Sequence, residues 1–167
     1  MALSPDLLPA LKADILANAG SGGPLQAMLA ANDYNGIAAY YKADAAPVFW
    51  VWRTNVTREE IYNSTSADNT SWDWAIYKAQ AVPEQNAWTQ MFMGDRANFA
   101  QANLRAGIGK IFGAANAQTV HALAVGRRRA NRGEKLYATG AGSAVSPAIM
   151  SFEGSIEASD VNDAVRL

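Results

Sequence analysis

Apolar residues recur at helical spacing through the first quarter of the chain. Leu7, Leu8, Leu11, Ile15 and Leu16 share one side of a helix that runs up to Gly20. Ser4-Pro5-Asp6 offers an N-cap, a first-turn proline and an early acid, while Pro9 competes for the same first turn. Gly20-Ser21-Gly22-Gly23 then breaks the pattern. Pro24 opens a second helix to about residue 32, with Leu25, Met28 and Leu29 inward. Residues 35–42 form a third, carrying Ile37, Tyr40 and Tyr41.

The middle of the chain loses this period. Residues 46–53 read Ala-Pro-Val-Phe-Trp-Val-Trp-Arg, an aromatic run consistent with an extended piece. Thr57-Arg58-Glu59-Glu60 has capping-box form and starts a short helix to about Tyr62. Residues 63–71 are a polar loop, and Trp72, Trp74, Ile76 and Tyr77 follow as a cluster whose periodicity favours no element. The helical pattern returns at residues 84–93, with Ala87, Trp88, Met91 and Phe92 on one face, and at residues 100–113, with Leu104, Ile108, Ile111 and Phe112. Gly107 and Gly109 inside that second helix each cost about 1 kcal/mol relative to Ala and predict a close helix approach. Asn116 caps a helix bearing Val120, Leu123 and Ala124. Asn131-Arg132-Gly133-Glu134 is a second capping box, leading through Leu136 and Tyr137. Residues 140–147 are a Gly/Ser/Ala loop, residues 150–156 a short strand, and Ser159 the cap of a last short helix with Val161 and Val165.

This pattern predicts a mainly α protein, a helical bundle with extended loops and a short β-hairpin or strand pair. With 167 residues it is read as a single helical domain over residues 1–167, in which residues 138–167 are a candidate extended C-terminal arm. The sequence is 50% hydrophobic and 17% charged, which excludes a disordered chain as its main class. No apolar run reaches the length of a membrane-spanning helix, and the N-terminus carries no basic and apolar leader. The three Asn-x-Ser/Thr triplets at Asn55, Asn63 and Asn69 are therefore read as incidental. With 0 cysteines, disulfides, thiolate catalysis and thiolate metal sites are excluded together.

Chemistry of the catalytic kind finds little support. The one histidine, His121, lies mid-helix with no acid three or four residues away, so it is read as structural or surface, not as a zinc ligand. Gly107-Ile108-Gly109-Lys110 lacks the glycine and the hydroxyl residue a phosphate loop needs, since Leu104 and Ile111 stand there. The only adjacent acids, Glu59 and Glu60, project to different sides of a helix. Neither a calcium loop nor a carboxylate pair is visible, so no enzyme activity and no cofactor or metal are expected.

Charge is more informative than its total of −1. Residues 1–95 hold five basic and ten acidic residues, a balance of −5; residues 96–135 hold eight basic and one acidic, +7; residues 136–167 hold one basic and four acidic, −3. Within the basic middle, Arg127, Arg128 and Arg129 run together and Arg132 and Lys135 follow. Two readings stand side by side: cations at a helix C-terminus, complementing its dipole, or a patch for a polyanion or an acidic protein surface. The aromatic candidates Phe49, Trp50, Trp52, Trp72, Trp74 and Trp88 anchor either a core or an interface.

Five stretches carry a likeness to known proteins: residues 49–54 (Phe-Trp-Val-Trp-Arg-Thr), 102–107 (Ala-Asn-Leu-Arg-Ala-Gly), 128–136 (Arg-Arg-Ala-Asn-Arg-Gly-Glu-Lys-Leu), 138–140 (Ala-Thr-Gly) and 152–154 (Phe-Glu-Gly). In these the chain resembles a diverse group of small virion proteins from the head-and-tail module of tailed bacteriophages. Within that group it is most similar to a head-to-tail adaptor, or connector. Members usually show Thr where Asn131 stands, and both cap helices well. The resemblance implies a homo-oligomeric ring of about twelve copies in the virion neck, assembled in the host cytoplasm. Its implied partners are the portal protein, a tail or nozzle protein and the packaged DNA, with no membrane. Alternatives are a capsid cement or tail completion protein, and a DNA-binding phage protein without sequence specificity.

Overall fold

The computed structural model describes residues 3–66 and 68–167. The chain is mainly α-helical, with short strand pairs. In chain order the helices are α1 Leu8–Asn18, α2 Gln26–Ala30, α3 Tyr34–Lys42, α4 Arg58–Asn63, α5 Trp74–Lys78, α6 Val82–Gln90, α7 Ala102–Phe112, α8 Ala117–Val125, α9 Arg132–Leu136 and α10 Ala158–Arg166. The strands are β1 Trp50–Trp52, β2 Val56–Thr57, β3 Arg96–Ala97, β4 Arg127–Arg129, β5 Ala138–Thr139 and β6 Ile149–Met150. β1 pairs with β4; β2 lies antiparallel to β3 with Val56 opposite Ala97, and β5 antiparallel to β6 with Ala138 opposite Met150. Two compact units result, one of residues 1–50 and 129–167, the other of residues 51–128. Length alone argues for one domain; the buried apolar residues instead fall into two clusters, one per unit.

In the first unit, Pro9 sits in the opening turn of α1, where its missing N–H has no helical partner to lose. Leu11 and Ile15 lie four apart and are fully buried. The Asp33 carboxylate caps α3 by accepting from the Gly36 N–H at 2.9 Å, and Ile37 and Tyr41 bury the next turn. Both α1 and α3 pack on α10, which supplies Val161 and Ala164. Removing each such side chain from water stabilises the fold by about 1.5–3 kcal/mol for Val, Leu or Ile. Residues 138–167 are thus no free arm. Val161, Ala164 and Val165 share one face of α10, which packs on α1 and α3 of the same chain, and Ile156 just before it joins the same core.

The second unit is built on α4 and α6 to α8. Its first capping box forms as the sequence predicts: the Glu60 N–H donates to Thr57 Oγ1 at 3.1 Å, and the Thr57 N–H to Glu60 Oε2 at 2.8 Å. Asn116 caps α8 by accepting from the Gln118 N–H at 2.9 Å. Asp73 caps α5, which gives the Trp72 to Tyr77 cluster the helix its pattern did not reveal. A Cβ at Gly107 would lie 2.5 Å from Met91 Cε, the tip of a side chain, while one at Gly109 would meet Ala114 Cα at an ordinary 3.6 Å, so neither glycine brings two helix backbones together. The expected helix-capping arrangement of Arg127–Arg129 does not: α8 ends at Val125, Gly126 closes it, and the three arginines form β4. Three β-compatible residues that follow a glycine and meet an extended aromatic partner pair more readily than they continue a helix.

Buried phenols make the first unit sensitive to alkali. Burial, with Asp14 and Asp160 nearby, pushes the Tyr137 phenol up to about 12. Tyr41 shifts in the same direction, through burial first and then its hydrogen bond to Asp14. An exposed phenol titrates near ~10, so the unfolded chain deprotonates first. The stabilisation is complete below that pH and drains away as pH rises toward about 12. Tyr137→Phe loses the bond from the phenol to the Leu7 carbonyl, 3.0 Å long. This variant should be about 1 kcal/mol less stable at pH 7, yet lose less stability between pH ~10 and ~12 in urea titrations. Parallel pH profiles for the two proteins would sink the account.

Candidate functional site

The basic run and the aromatic run, some eighty residues apart in sequence, come together because β4 pairs with β1. In the first unit the Arg129 guanidinium lies 5.8 Å from the centre of a Trp50 ring, and the Ala130 N–H donates to the Phe49 carbonyl at 2.9 Å. Lys135 Nζ sits 5.7 Å from the Phe49 ring centre. Arg132 is placed best: its guanidinium lies 4.1 Å from the Tyr40 ring centre and its Nη1 donates to the Tyr40 carbonyl at 3.3 Å. A cation over a ring contributes about 0.5–1 kcal/mol at exposed sites and more where water is excluded. Phe49 is itself fixed by Gly142, whose φ is +65° and where a Cβ would fall 2.0 Å from the ring. Only glycine lets that loop close over the phenyl group.

Arg127 and Arg128 belong to the second unit, where Arg127 makes an ion pair with Asp68. Trp52 lies there too, under the Arg105 guanidinium at 4.5 Å; burial pushes that guanidinium below its ordinary pKa. Trp72 and Trp88 are core. Trp88 is 0% exposed and stacks on Trp72 with ring centres 5.2 Å apart. Trp74 is 48% exposed, although its ring touches Tyr62, Trp72 and Tyr77. Of the five basic candidates, Arg132 and Lys135 line one notch, Arg129 lies over Trp50 in the same unit, and Arg127 and Arg128 belong to the second unit.

A notch of about 440 Å³ opens between α1, α3 and α9. It is lined by Asp14 and Asn18, by Tyr40 and Tyr41, and by Arg132 and Lys135. Asp14 Oδ2 accepts from the Tyr41 hydroxyl at 2.6 Å and from Asn18 Nδ2 at 3.0 Å, so its charge is held by neutral donors. Neither Arg132 nor Lys135 has a carboxylate partner among the described residues. Nothing in the spacing of Asp14, Tyr40 and Arg132 along the chain announces this meeting; the only legible signal was the local one, Arg132 and Lys135 one helical turn apart.

Behind the notch, the second capping box does more than start α9. Glu134 is 2% exposed; its Oε2 accepts from the Asn131 N–H at 3.2 Å and its Oε1 from the Gly154 N–H at 3.1 Å. Asn131 Nδ2 donates to the Gly154 carbonyl at 2.9 Å, a bond that needs the side-chain amide. Ile156 packs closely against Gly133, where a Cβ would lie 2.9 Å from Ile156 Cδ1 and oblige that side chain to shift.

His121 is a buried structural residue. Its Nε2 lies 2.7 Å from the Ile61 carbonyl and its Nδ1 3.1 Å from Thr70 Oγ1. A carbonyl can only accept, so Nε2 carries a hydrogen and donates to Ile61, while Nδ1 pairs with the Thr70 hydroxyl. Among the described residues no group of three His, Asp or Glu is placed to hold a metal ion, and no helix is long and apolar enough to cross a membrane. No protein-family model matches the chain, and neither does any curated protein or solved structure.

Proposed function

We propose that the chain is a structural virion protein of a tailed bacteriophage, acting without catalysis as the head-to-tail adaptor between portal and tail. One observation supports this above the others: four of the five stretches that carry the resemblance have residues in the first unit, where they are bonded into one frame. Phe49 accepts from Ala130, and Asn131 and Glu134 hold Gly154. Ala138 and Thr139 pair with β6, and β6 leads to Phe152, whose ring lies 5.7 Å from that of Tyr137. The frame uses its polar groups to fix shape and carries Arg129, Arg132 and Lys135 on it, as a protein working through its interfaces requires.

In this reading about twelve copies close a ring in the neck of the virion, after assembly in the host cytoplasm. The portal protein lies on one side, a tail or nozzle protein on the other, and packaged DNA in the channel. Closed rotational symmetry lets each subunit offer one charged face to a neighbour and still leave no open edge. The test is a phage whose copy of this chain stops at Trp50. DNA-filled heads and separate, complete tails should accumulate, and cryo-electron microscopy of the parent virion should place the chain beneath the portal. Filled heads that still join tails, or density spread over the capsid surface as for a cement protein, would overturn the neck position.

A further inference from the structure

The notch beside α9 holds two cations that make no ion pair among the described residues. Arg132 and Lys135 are both half-buried, and neither has a carboxylate partner among the described residues. Partly withdrawing a cation from water without a counter-charge is unfavourable, and a bound anion removes that cost. The cations are also pre-oriented. Stacking on Tyr40 fixes the guanidinium plane, and the Nη1 bond to the Tyr40 carbonyl leaves the Nε and Nη2 edge for a planar two-oxygen acceptor. Lys135, one turn further along the same face, adds a second charge 5.7 Å from the Phe49 ring centre.

We propose that this notch is a docking site for a carboxylate side chain on an acidic protein segment. Two features favour such a segment over DNA. Asp14 lines the same notch with a negative charge, and the first unit as a whole holds six basic against nine acidic residues, a balance of −3. A duplex carries about one negative charge per ~1.7 Å of axis and would bring a row of them against that field. A flexible acidic peptide delivers one or two carboxylates into a space of about 440 Å³ and leaves the rest of its chain in water. The site is a property of the isolated chain and does not depend on the neck reading.

Fluorescence anisotropy with the purified full chain tests it, using a labelled hexaglutamate peptide, the matching hexaglutamine peptide and a short DNA duplex as probes. Hexaglutamate should bind, hexaglutamine should not, and the double variant Arg132→Gln, Lys135→Met should weaken hexaglutamate binding at least tenfold. Asp14→Asn, which keeps an oxygen for the Tyr41 hydroxyl and removes the like charge, should strengthen it severalfold. That second variant keeps the test decisive should the first fail to fold. Equal hexaglutamate binding by parent and double variant, no effect or a loss in Asp14→Asn, or tighter binding of the duplex through the same residues would each overturn the proposal.

Discussion

Replacing Trp88 by alanine should destabilise the second unit by about 3–5 kcal/mol, the range for deleting a buried large aromatic residue. The indole is fully buried and packed on three sides: Trp72 stacks on it with ring planes 26° apart, Phe92 approaches to 4.9 Å and Phe112 to 5.3 Å between ring centres. Its Nε1–H donates to the Tyr62 hydroxyl at 3.0 Å. Alanine removes the transfer free energy of the ring and leaves a cavity that Trp72 can fill only by giving up its contacts with Tyr62 and Tyr77. Trp74→Ala, at a half-exposed ring, should cost no more than about 1 kcal/mol. Urea unfolding followed by tryptophan fluorescence measures both. Equal losses at the two positions would contradict the division of these tryptophans into core and rim.

That division shows which parts of the fold the sequence reveals. Helices with a local signature are legible: the capping boxes at Thr57 and Asn131, the Asn116 cap, and the apolar spacing of Ile108, Ile111 and Phe112 all reappear in the structure. Features made by distant pairing are not. β2 and β3 are two residues each, too short for any alternation to show. β4 hides because three arginines after a helix look like a basic last turn, and only the partner strand makes them extended. The final helix starts two residues earlier than its sequence suggests, for a local reason: Ser159 is a good cap by type, but the Glu157 N–H donates to Asp160 Oδ2 at 2.8 Å and the helix begins at Ala158. Asp160 also accepts from the Leu3 N–H at 2.9 Å, a bond spanning nearly the whole chain that no local pattern encodes.

The candidate site divides in the same way. Arg132 and Lys135 are visible as a helical pair, and Phe49 and Trp50 as an aromatic run. Their meeting depends on strand pairing and on Gly142, the residue whose missing side chain makes room for the Phe49 ring. Composition could say that the chain holds a basic segment between acidic ones. It could not say that Arg127 is taken by Asp68 while Arg132 rests on a tyrosine ring.

Glu134→Ala should destabilise the first unit by about 3–5 kcal/mol. The carboxylate is buried and accepts from two backbone N–H groups, those of Asn131 and Gly154. Leaving a buried donor without a partner costs about 1–3 kcal/mol, and two are stranded here. Glu134→Gln separates these contributions: its one carbonyl oxygen can keep either N–H but not both, so about half the loss should return. Hydrogen exchange gives the specific readout, because the amides of Asn131 and Gly154 should lose protection ahead of the core amides of α1 and α3. The consequence for the notch follows from position. Arg132 and Lys135 ride on the helix this carboxylate anchors, so Glu134→Ala should also weaken hexaglutamate binding although it removes a negative charge. Simple electrostatics predicts the opposite sign, and unchanged or tighter binding would mean that the cations do not need the frame beneath them.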